Sequence, residues 1–545
     1  MAPRAQTPPP PRVEPDGKTL CAVVGRSFLV PVCREPIDEK IAARRSTHEV
    51  LFREGGRIVK QESRNSSGAL QPNGDGTAIR LWLYDGDRLR EEVLQNADGH
   101  VLYRVAYAEG GKATYLDRHG RKKAPFGDRD AVGYLTTFDD RGHSIETRYV
   151  DAKGEPSTGG EQVFLVRNKY DARGRIVGVS YHQADGRPML DKRGYHAIDI
   201  ENVLDCERAF RVRGLDGRRV IASSGHSGMT RVCDEAGRAM SLRYLGVNDE
   251  PRVDVNGVAG WDAVRDDRGN LIERTYVGRG GAPSAGHLDR AIERFEYDRD
   301  GRQIAEHHLA ADGTPAPVVR TSVASFRRTY DAAGRELTES LRGVTGRPQK
   351  GFSGWAVRRH VRNAFGQIKR TDYLDEEERP IRTNDGYASI TYVYDALDQV
   401  VETWFRGVDG RLAQNALGYA IEKTTYSDDG QPSGHTYLDQ DDAPVKIARG
   451  KYILVKHTET GAGSKIRTRE QALALAQQAL ERLRAGEPWK LVAPQMSDVS
   501  DWRDSAVIPA RAFPAIKTAV AATKPGAVTD VIDTPNGYFL YLLDP

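Results

Sequence analysis

Residues 170–190 read YDARGRIVGVSYHQADGRPML, and this stretch decides the fold. Asp171 and Gly174 bracket a tight turn, because an Asp side chain caps backbone amides and Gly accepts the positive φ that closes a hairpin with a bulge. From Ile176 to Tyr181 the side chains alternate as they do in a half-buried strand. An Asp-Gly pair at Asp185 then marks a second turn. The stretch therefore predicts two strands or more.

The same pattern recurs along most of the chain. The steps from Phe138 to Tyr170 and from Cys233 to Arg265 are both 32 residues. Strong copies of the Tyr-Asp-x-x-Gly motif begin at Phe138, Tyr170, Cys233, Arg265, Tyr297, Tyr330, Tyr394 and Tyr426, and weaker ones lie at Phe52, Tyr84, Leu204 and Arg362. The array covers residues 45–447, which is about a dozen copies. Prolines recur after the second turn, where a missing backbone donor is tolerated at the start or edge of a strand.

One copy has too few aliphatic residues to bury a core, so neighbouring copies must stack and share tyrosines and valines. The expected fold class is therefore a mainly β tandem-repeat array, elongated, followed by a small α+β domain. Residues 1–20 are predicted to be a Pro-rich disordered tail or linker, 21–44 an N-terminal cap, 45–447 the repeats and 448–545 the last domain.

The motif resembles the Tyr-Asp-x-x-Gly repeats of large bacterial secreted and surface proteins. The resemblance implies a scaffold, a spacer or a binding surface, since the repeated residues form turns and are not catalytic groups. The resemblance does not identify a binding partner.

Charge and hydropathy exclude several classes of function. Lys and Arg number 80 against 77 Asp and Glu, with the two signs interleaved, so a nucleic-acid partner is not expected. No apolar run approaches the roughly 18 residues of a membrane helix. Neither a cofactor site nor a metal site is expected, because the Gly-rich, acidic and His-containing stretches fit turn chemistry better than ligand spacing.

The four cysteines fall into two local pairs, Cys21 with Cys33 and Cys206 with Cys233. The pairs form two disulfides or remain four buried thiols, and neither has the spacing of a zinc site. Disulfides would favour an extracytoplasmic setting, although four cysteines do not establish the compartment.

After about Arg449 the repeat pattern ends. KYILVKH at 451–457 is predicted to be a strand, and Thr468 with Gln471 makes a capping box for the helix that follows. A short helix around 488–493, a helix around 513–522 and strands at 528–532 and 538–543 complete the region.

These segments, KYILVKH, IRTREQALALAQQALERLRAGEPWKLVAPQMSD and KPGAVTDVIDTPNGYFLYLL, resemble the parvulin family of peptidyl-prolyl cis-trans isomerases. The resemblance implies a cleft for Xaa-Pro peptides that is lined by two His and by a Cys or Asp. Tyr452, Val499 and Phe539 stand at those three positions, so the polar groups are replaced. The implied cleft is formed by Tyr452, Lys456, His457, Ser497, Asp498, Ala512, Phe513, Ile516 and Phe539.

Two hypotheses follow. In the first, a repeat scaffold carries a parvulin-like domain that binds prolyl peptides and retains isomerase or chaperone-like activity, because an apolar pocket alone weakens amide resonance. In the alternative, the chain is a structural or interaction protein whose last domain is a cap or a peptide binder. The partner is a protein or an Xaa-Pro peptide in both.

Overall fold

The computed structural model describes residues 16–45, 47–124, 131–203, 206–234, 238–317, 323–427, 432–445, 447–458, 467–499, 506–508 and 514–544. They form two compact units. The repeat unit comprises the described residues of Met1–Leu412 and Thr424–His435, and the C-terminal unit those of Ala413–Lys423 and Thr436–Pro545. Within the described ranges, no helix has the length and apolar character needed to cross a membrane.

Strands dominate the chain. They are β1 Gly17–Ser27, β2 Val30–Pro36, β3 His48–Glu54, β4 Arg57–Arg64, β5 Ile79–Asp85, β6 Arg88–Gln95, β7 Val101–Tyr107, β8 Lys112–Asp117, β9 Gly133–Phe138, β10 Ser144–Val150, β11 Leu165–Tyr170, β12 Ile176–His182, β13 Ala197–Val203, β14 Cys206–Arg213, β15 Gly228–Cys233, β16 Ala239–Leu245 and β17 Gly260–Arg265. They continue as β18 Leu271–Val277, β19 Ile292–Tyr297, β20 Gln303–Leu309, β21 Ser325–Tyr330, β22 Glu336–Arg342, β23 Val357–Arg362, β24 Ile368–Leu374, β25 Ser389–Tyr394, β26 Val400–Arg406, β27 Ile421–Tyr426, β28 Pro432–Leu438, β29 Pro444–Val445, β30 Arg449–Val455, β31 Ala506–Val507, β32 Ile532–Thr534 and β33 Gly537–Leu543.

The helices are α1 Glu39–Ala42, α2 Arg469–Arg484, α3 Trp489–Met496 and α4 Pro514–Ala522, with one 3₁₀ turn at Glu109–Gly111. In the repeat unit β1 pairs with both β2 and β3, and from β3 to β26 each strand pairs antiparallel with the next. The prediction of a tandem β-repeat array is confirmed.

The motif aspartates cap the first turn in six described copies, as predicted for this position. Asp171 Oδ1 accepts the backbone amides of Arg173 and Arg175, both at 2.9 Å, and Asp171 Oδ2 accepts the Arg175 side chain. Gly174 has a φ of 76°, and the register shifts beside Tyr170 as in a bulged hairpin. The Arg175 amide and then the Arg175 side chain hold the pKa of Asp171 below its ordinary value. The same pair of amide bonds forms at Asp139, Asp266, Asp298, Asp331 and Asp395.

The recurring prolines begin short returning segments after the second turn. Each makes an isolated antiparallel bridge with the last residue of the preceding strand, as Pro188 does with His182. Pro251, Pro283, Pro315 and Pro348 repeat this pairing. Proline therefore lies at the edge position where its missing donor costs least.

The residue at or next to the end of the strand before the first turn joins most copies to the preceding copy. Tyr170 Oη donates to the backbone oxygen of Ser144, 26 residues earlier, at 3.0 Å. We call this bond the junction bond. Nine described copies have one, with donors Tyr84, Tyr170, Asn202, Arg265, Tyr297, Tyr330, Arg362, Tyr394 and Tyr426. Different side chains fill the position, but each donates to a carbonyl 26 or 27 residues back.

The expectation of an elongated array, in which each copy contacts only its neighbours, is wrong for the repeat unit. Asn65 Nδ2 donates to the backbone oxygen of Asp300 at 2.6 Å across 235 residues of sequence. Arg335 pairs with Asp98 at 2.7 Å across 237 residues. The twist between successive strands accumulates until distant turns meet, so the sheet winds back on itself.

An N-terminal hairpin, β1 with β2, lies over several strands of this sheet. Its tip is Phe28 and Leu29, which both have positive φ, and the Phe28 amide donates to the backbone oxygen of Gly142. Arg26 makes a two-pronged ion pair with Glu92, which is 1% exposed. The segment predicted to be a cap is thus tied to the sheet by an ion pair and by its tip.

Two disulfides are present, Cys21–Cys33 and Cys206–Cys233. The first joins β1 to β2 across the N-terminal hairpin. The second joins the start of β14 to the end of β15, which are neighbouring strands of different copies.

The C-terminal unit holds a four-stranded antiparallel sheet in the order β31-β30-β33-β32. Alternate residues of β30 and β33 face opposite sides, as the period of a strand requires. Ile453, Val455, Tyr538 and Leu540 pack against α2 and α3. Leu454, Phe539, Tyr541 and Leu543 pack with Ile516 of α4.

The capping box at Thr468 and Gln471 forms as predicted and begins α2. The first closing strand is misplaced in the sequence interpretation, since β32 lies at Ile532–Thr534 and not at 528–532. Val528 makes only an isolated bridge with Leu542.

Candidate functional site

The candidate site is the face of the C-terminal sheet that carries Tyr452 and Phe539. Their rings lie 5.4 Å apart between centroids, and Tyr541 completes the group at 5.5 Å from Tyr452 and 5.7 Å from Phe539. Phe539 and Tyr541 are 6% and 2% exposed. We call these three residues the aromatic cluster. Cross-strand pairing of β30 with β33 brings them together, because Tyr452 stands opposite Tyr541 and Leu454 opposite Phe539.

Two more of the predicted residues lie on this face. Ile516 of α4 is 1% exposed, and Val499 is partly buried against the same apolar group. The face is therefore packed with hydrocarbon and aromatic rings. Ala512 and Phe513, also predicted for the cleft, lie outside the described residues.

Ser497 and Asp498 hold the end of strand β30. Ser497 Oγ accepts the amide of Leu454 at 3.2 Å, and Asp498 Oδ2 accepts the amide of Lys456 at 2.6 Å. The Asp498 amide donates to the backbone oxygen of Leu454, and its carboxylate also pairs with Arg467. Both side chains have partners within the protein. The Ser-Asp pair is therefore explained by its structural role, which is to hold the end of β30 in place.

His457 lies beside a different face. It is 4% exposed, and its ring centroid is 5.8 Å from that of Tyr538, which packs on the α2 side of the sheet. Strand β30 ends at Val455, so the alternation of faces does not extend to His457. Its contact with Tyr538 sets it apart from the aromatic cluster.

The aromatic cluster offers shape and little acid–base chemistry. Its titratable groups are phenols, and burial raises the pKa of Tyr541 to about 12. Such a phenol stays neutral at physiological pH.

Sequence reasoning missed a group of possible metal ligands in the repeat unit. Ligand atoms of Glu293, Glu306 and His308 lie within 4.8 Å of one another. His308 Nε2 is 2.9 Å from Glu306 Oε1, and this hydrogen bond lowers the pKa of Glu306. The spacing of Glu306 and His308, two residues apart on one strand face, was a usable signal.

Two guanidinium groups already neutralise that cluster. Arg290 Nε donates to Glu293 at 2.6 Å, and Arg274 lies 3.3 Å from the same carboxylate. The Tyr276 hydroxyl donates to Glu293 as well. A cation would have to displace these donors, so the cluster is explained as a buried ion-pair network.

A small cavity lies where distant turns of the repeat unit meet. Its wall includes Asn65, Asp98, Asp300 and Arg302. These polar groups have protein partners, such as the bond from Asn65 to Asp300 and that from Arg302 to Asp298. The cavity therefore forms where the turns meet. Its four polar residues named above are all hydrogen-bonded or paired within the protein, so they do not indicate a ligand site.

No protein-family model matches the chain, and no curated protein matches it. Among solved structures, the chain is similar to TcdB2-TccC3 without its hypervariable C-terminal region, at 11% identity over 78% of this chain and 26% of that one, with a TM-score of 0.31. A Tc holotoxin pore from Photorhabdus luminescens gives 12% identity over 74% and 26%, with a TM-score of 0.23. A porin-like protein from Bacteroides uniformis gives 11% identity over 60% and 94%, with a TM-score of 0.19. The chain spans about a quarter of the first two structures, and likeness at this level defines neither fold nor function.

Proposed function

We propose that this chain is a non-enzymatic β-repeat scaffold that binds protein partners and whose C-terminal unit closes the array. One observation carries the proposal: the repeated polar groups are occupied within the fold, since the junction bond links nine described copies and turn amides occupy the motif aspartates. The repeated polar groups thus serve the fold. A regular array of β repeats of this kind offers a large surface on which protein partners can bind.

The closing role of the C-terminal unit rests on Arg449. Its Nη1 donates to the Tyr437 hydroxyl at 2.6 Å and lies 3.3 Å from the Glu422 carboxylate. Glu422 and Tyr437 come from the last copy of the motif, and Arg449 begins β30. The end of the array and the terminal domain therefore share one polar network inside the C-terminal unit.

A second candidate function is recognition of Xaa-Pro peptides by the C-terminal unit. It is favoured by the parvulin-like order of segments and by the aromatic cluster, since aromatic rings are common partners of proline. Tyr452, Val499 and Phe539 replace the family's polar groups, so we propose binding without isomerisation. The cleft would use Tyr452, Ile516 and Phe539.

The test is a prolyl isomerase assay on the full chain with Xaa-Pro peptides, beside an unrelated active isomerase. We expect a rate equal to the uncatalysed rate. Calorimetric titration with a Pro-rich peptide then separates binding from closure alone. Tyr452→Ala should abolish any binding, whereas Arg484→Ala, which removes an exposed pair with Asp530, should not.

A rate clearly above background that is lost in Tyr452→Ala would contradict the non-enzymatic proposal. Absence of both rate and binding would remove the peptide-recognition candidate and leave the scaffold with a closing domain. The two disulfides support an extracytoplasmic setting for either function, because such bonds persist in oxidising compartments.

A further inference from the structure

One copy of the motif replaces the junction bond by a covalent bond. Cys233 stands at the first motif position, where other copies have Tyr, Arg or Asn donors. It is bonded to Cys206, 27 residues earlier, with the Cα atoms 6.1 Å apart. The junction bond from Tyr330 to Gln303 spans the same 27 residues. The disulfide therefore takes the place of a hydrogen bond at an equivalent site.

The disulfide closes the outer end of a short strand pairing. Strands β14 and β15 pair only through Ala209 with Thr230, Phe210 with Met229 and Arg211 with Gly228. Cys206 and Cys233 lie beyond these pairs at the ends of the two strands. Near them the Arg231 to Glu207 ion pair, at 3.1 Å, is a part-exposed contact of the kind that contributes little. Each strand end also pairs with its own hairpin neighbour, β13 or β16, so it is the contact between the two ends that depends on the S–S bond.

The two disulfides differ in how easily a reductant can reach them. Cys21 is fully buried in a cluster with Leu51, Ile58 and Trp82, and Cys33, which is half-buried, packs against the same cluster. Cys206 and Cys233 are both only half-buried. Thiol–disulfide exchange requires a thiolate to approach a sulfur along the bond axis, so access controls its rate.

We propose that Cys206–Cys233 is a redox-sensitive closure of the β14–β15 junction, opened by thiol reductants before Cys21–Cys33 is reduced. A dithiol attacks one sulfur, the S–S bond breaks, and the second thiol of the reagent resolves the mixed disulfide. Two electrons and two protons pass to the protein, which gains two thiols, while the reagent becomes a disulfide. The freed strand ends then separate as far as the Ala209–Thr230 pair.

The experiment uses the full chain and dithiothreitol at increasing concentration, followed by alkylation and mass spectrometry. We expect Cys206 and Cys233 to be alkylated first, at a concentration at least threefold lower than Cys21 and Cys33. Native-state hydrogen exchange of the half-reduced protein should speed up about tenfold or more for 206–208 and 231–233. The junction of Tyr394 with Ile368 should exchange at its original rate.

A paired variant makes the test specific. Cys206→Ala with Cys233→Tyr restores a tyrosine donor, so its exchange in 206–211 should be the same with and without reductant. Cys206→Ser should instead exchange fast in both conditions. The proposal would be overturned if the two cysteine pairs were alkylated together or in the reverse order. It would also be overturned if hydrogen exchange of the wild-type protein did not change after reduction.

Discussion

The repeat unit and the C-terminal unit are stabilised by different kinds of interaction. In the repeat unit a motif aspartate, a motif glycine and one junction donor recur, and apolar groups are small, such as that of Ala356, Val357 and Leu374. In the C-terminal unit one apolar group joins eleven buried residues from two helices and two strands. Stability in the first is therefore spread over similar, local interactions, whereas in the second it depends on a shared core.

The largest loss of stability is expected for a substitution in the apolar core of the C-terminal unit. Leu540→Ala removes a fully buried side chain from the group that includes Ile453 and Ala476. The cavity should lower the free energy of unfolding of the C-terminal unit by about 3 kcal/mol. Calorimetry should show one transition shifted downward and the transition of the repeat unit unmoved. A shift of both transitions together would break the contrast between the units.

The control is Val408→Ala, which shortens a side chain that is 57% exposed in the repeat unit. Its effect should stay within about 0.5 kcal/mol.

A motif aspartate should have a smaller and local effect. Asp331→Ala frees the amides of Ala333 and Arg335 and breaks the ion pair of Arg335 with Asp331 at 2.7 Å. The free energy of local opening should fall by about 1–2 kcal/mol. Hydrogen exchange should rise around residues 330–336 and remain unchanged near Asp171.

Asp331→Asn is the matched control, because Asn363 fills the same position in another copy and accepts the same two amides. It should lose roughly half as much, since only the charge is removed. An equal loss in both variants would show that the ion pair matters more than the turn.

One junction bond should contribute less still. Tyr394→Phe removes the hydroxyl that donates to the backbone oxygen of Ile368 at 2.8 Å and keeps the ring. We expect a loss of about 1 kcal/mol, seen as faster exchange of Ile368 and its neighbours. Spread of the effect to the junction of Tyr170 would show that the copies unfold as one cooperative body.

The smallest expected effect appears only at alkaline pH, where Tyr541 of the C-terminal unit loses its proton. At neutral pH the stability of this unit should not change. Burial raises the pKa of Tyr541 to about 12, above the ordinary tyrosine value of about 10. The folded C-terminal unit thus retains the Tyr541 proton more tightly than the unfolded chain. Its contribution is complete below pH 10 and is lost as the pH rises towards 12. Tyr541→Phe should flatten this decline in thermal unfolding measured from pH 9 to 12, and an unchanged slope would assign the decline to other groups.

Much of the local structure of the repeats could be predicted from the sequence. Asp171, Gly174 and Pro188 have roles that follow from turn chemistry alone, and Thr468 with Gln471 predicts the start of α2. Each of these interactions spans only a few residues, so the local pattern contains the information.

Other features lay beyond sequence reasoning because they depend on accumulated geometry. The meeting of Asn65 with Asp300 requires the summed twist of many strands, and no single copy encodes it. His457 was assigned to the cleft, but β30 ends two residues earlier and the ring contacts Tyr538. Val499, Ile516 and Phe539 pack in one apolar group although they lie far apart in the sequence, and their burial is a matter of tertiary packing that no local pattern contains.

The contact between Asn65 and Asp300 has a consequence for biosynthesis. A chain made at about 5 to 20 residues per second completes the 235 residues between them in roughly 10 to 50 seconds. During that interval the first winding exposes turns whose partners have not yet been translated. Chaperones that shield these turns would therefore matter more to this protein than to one whose contacts are all local.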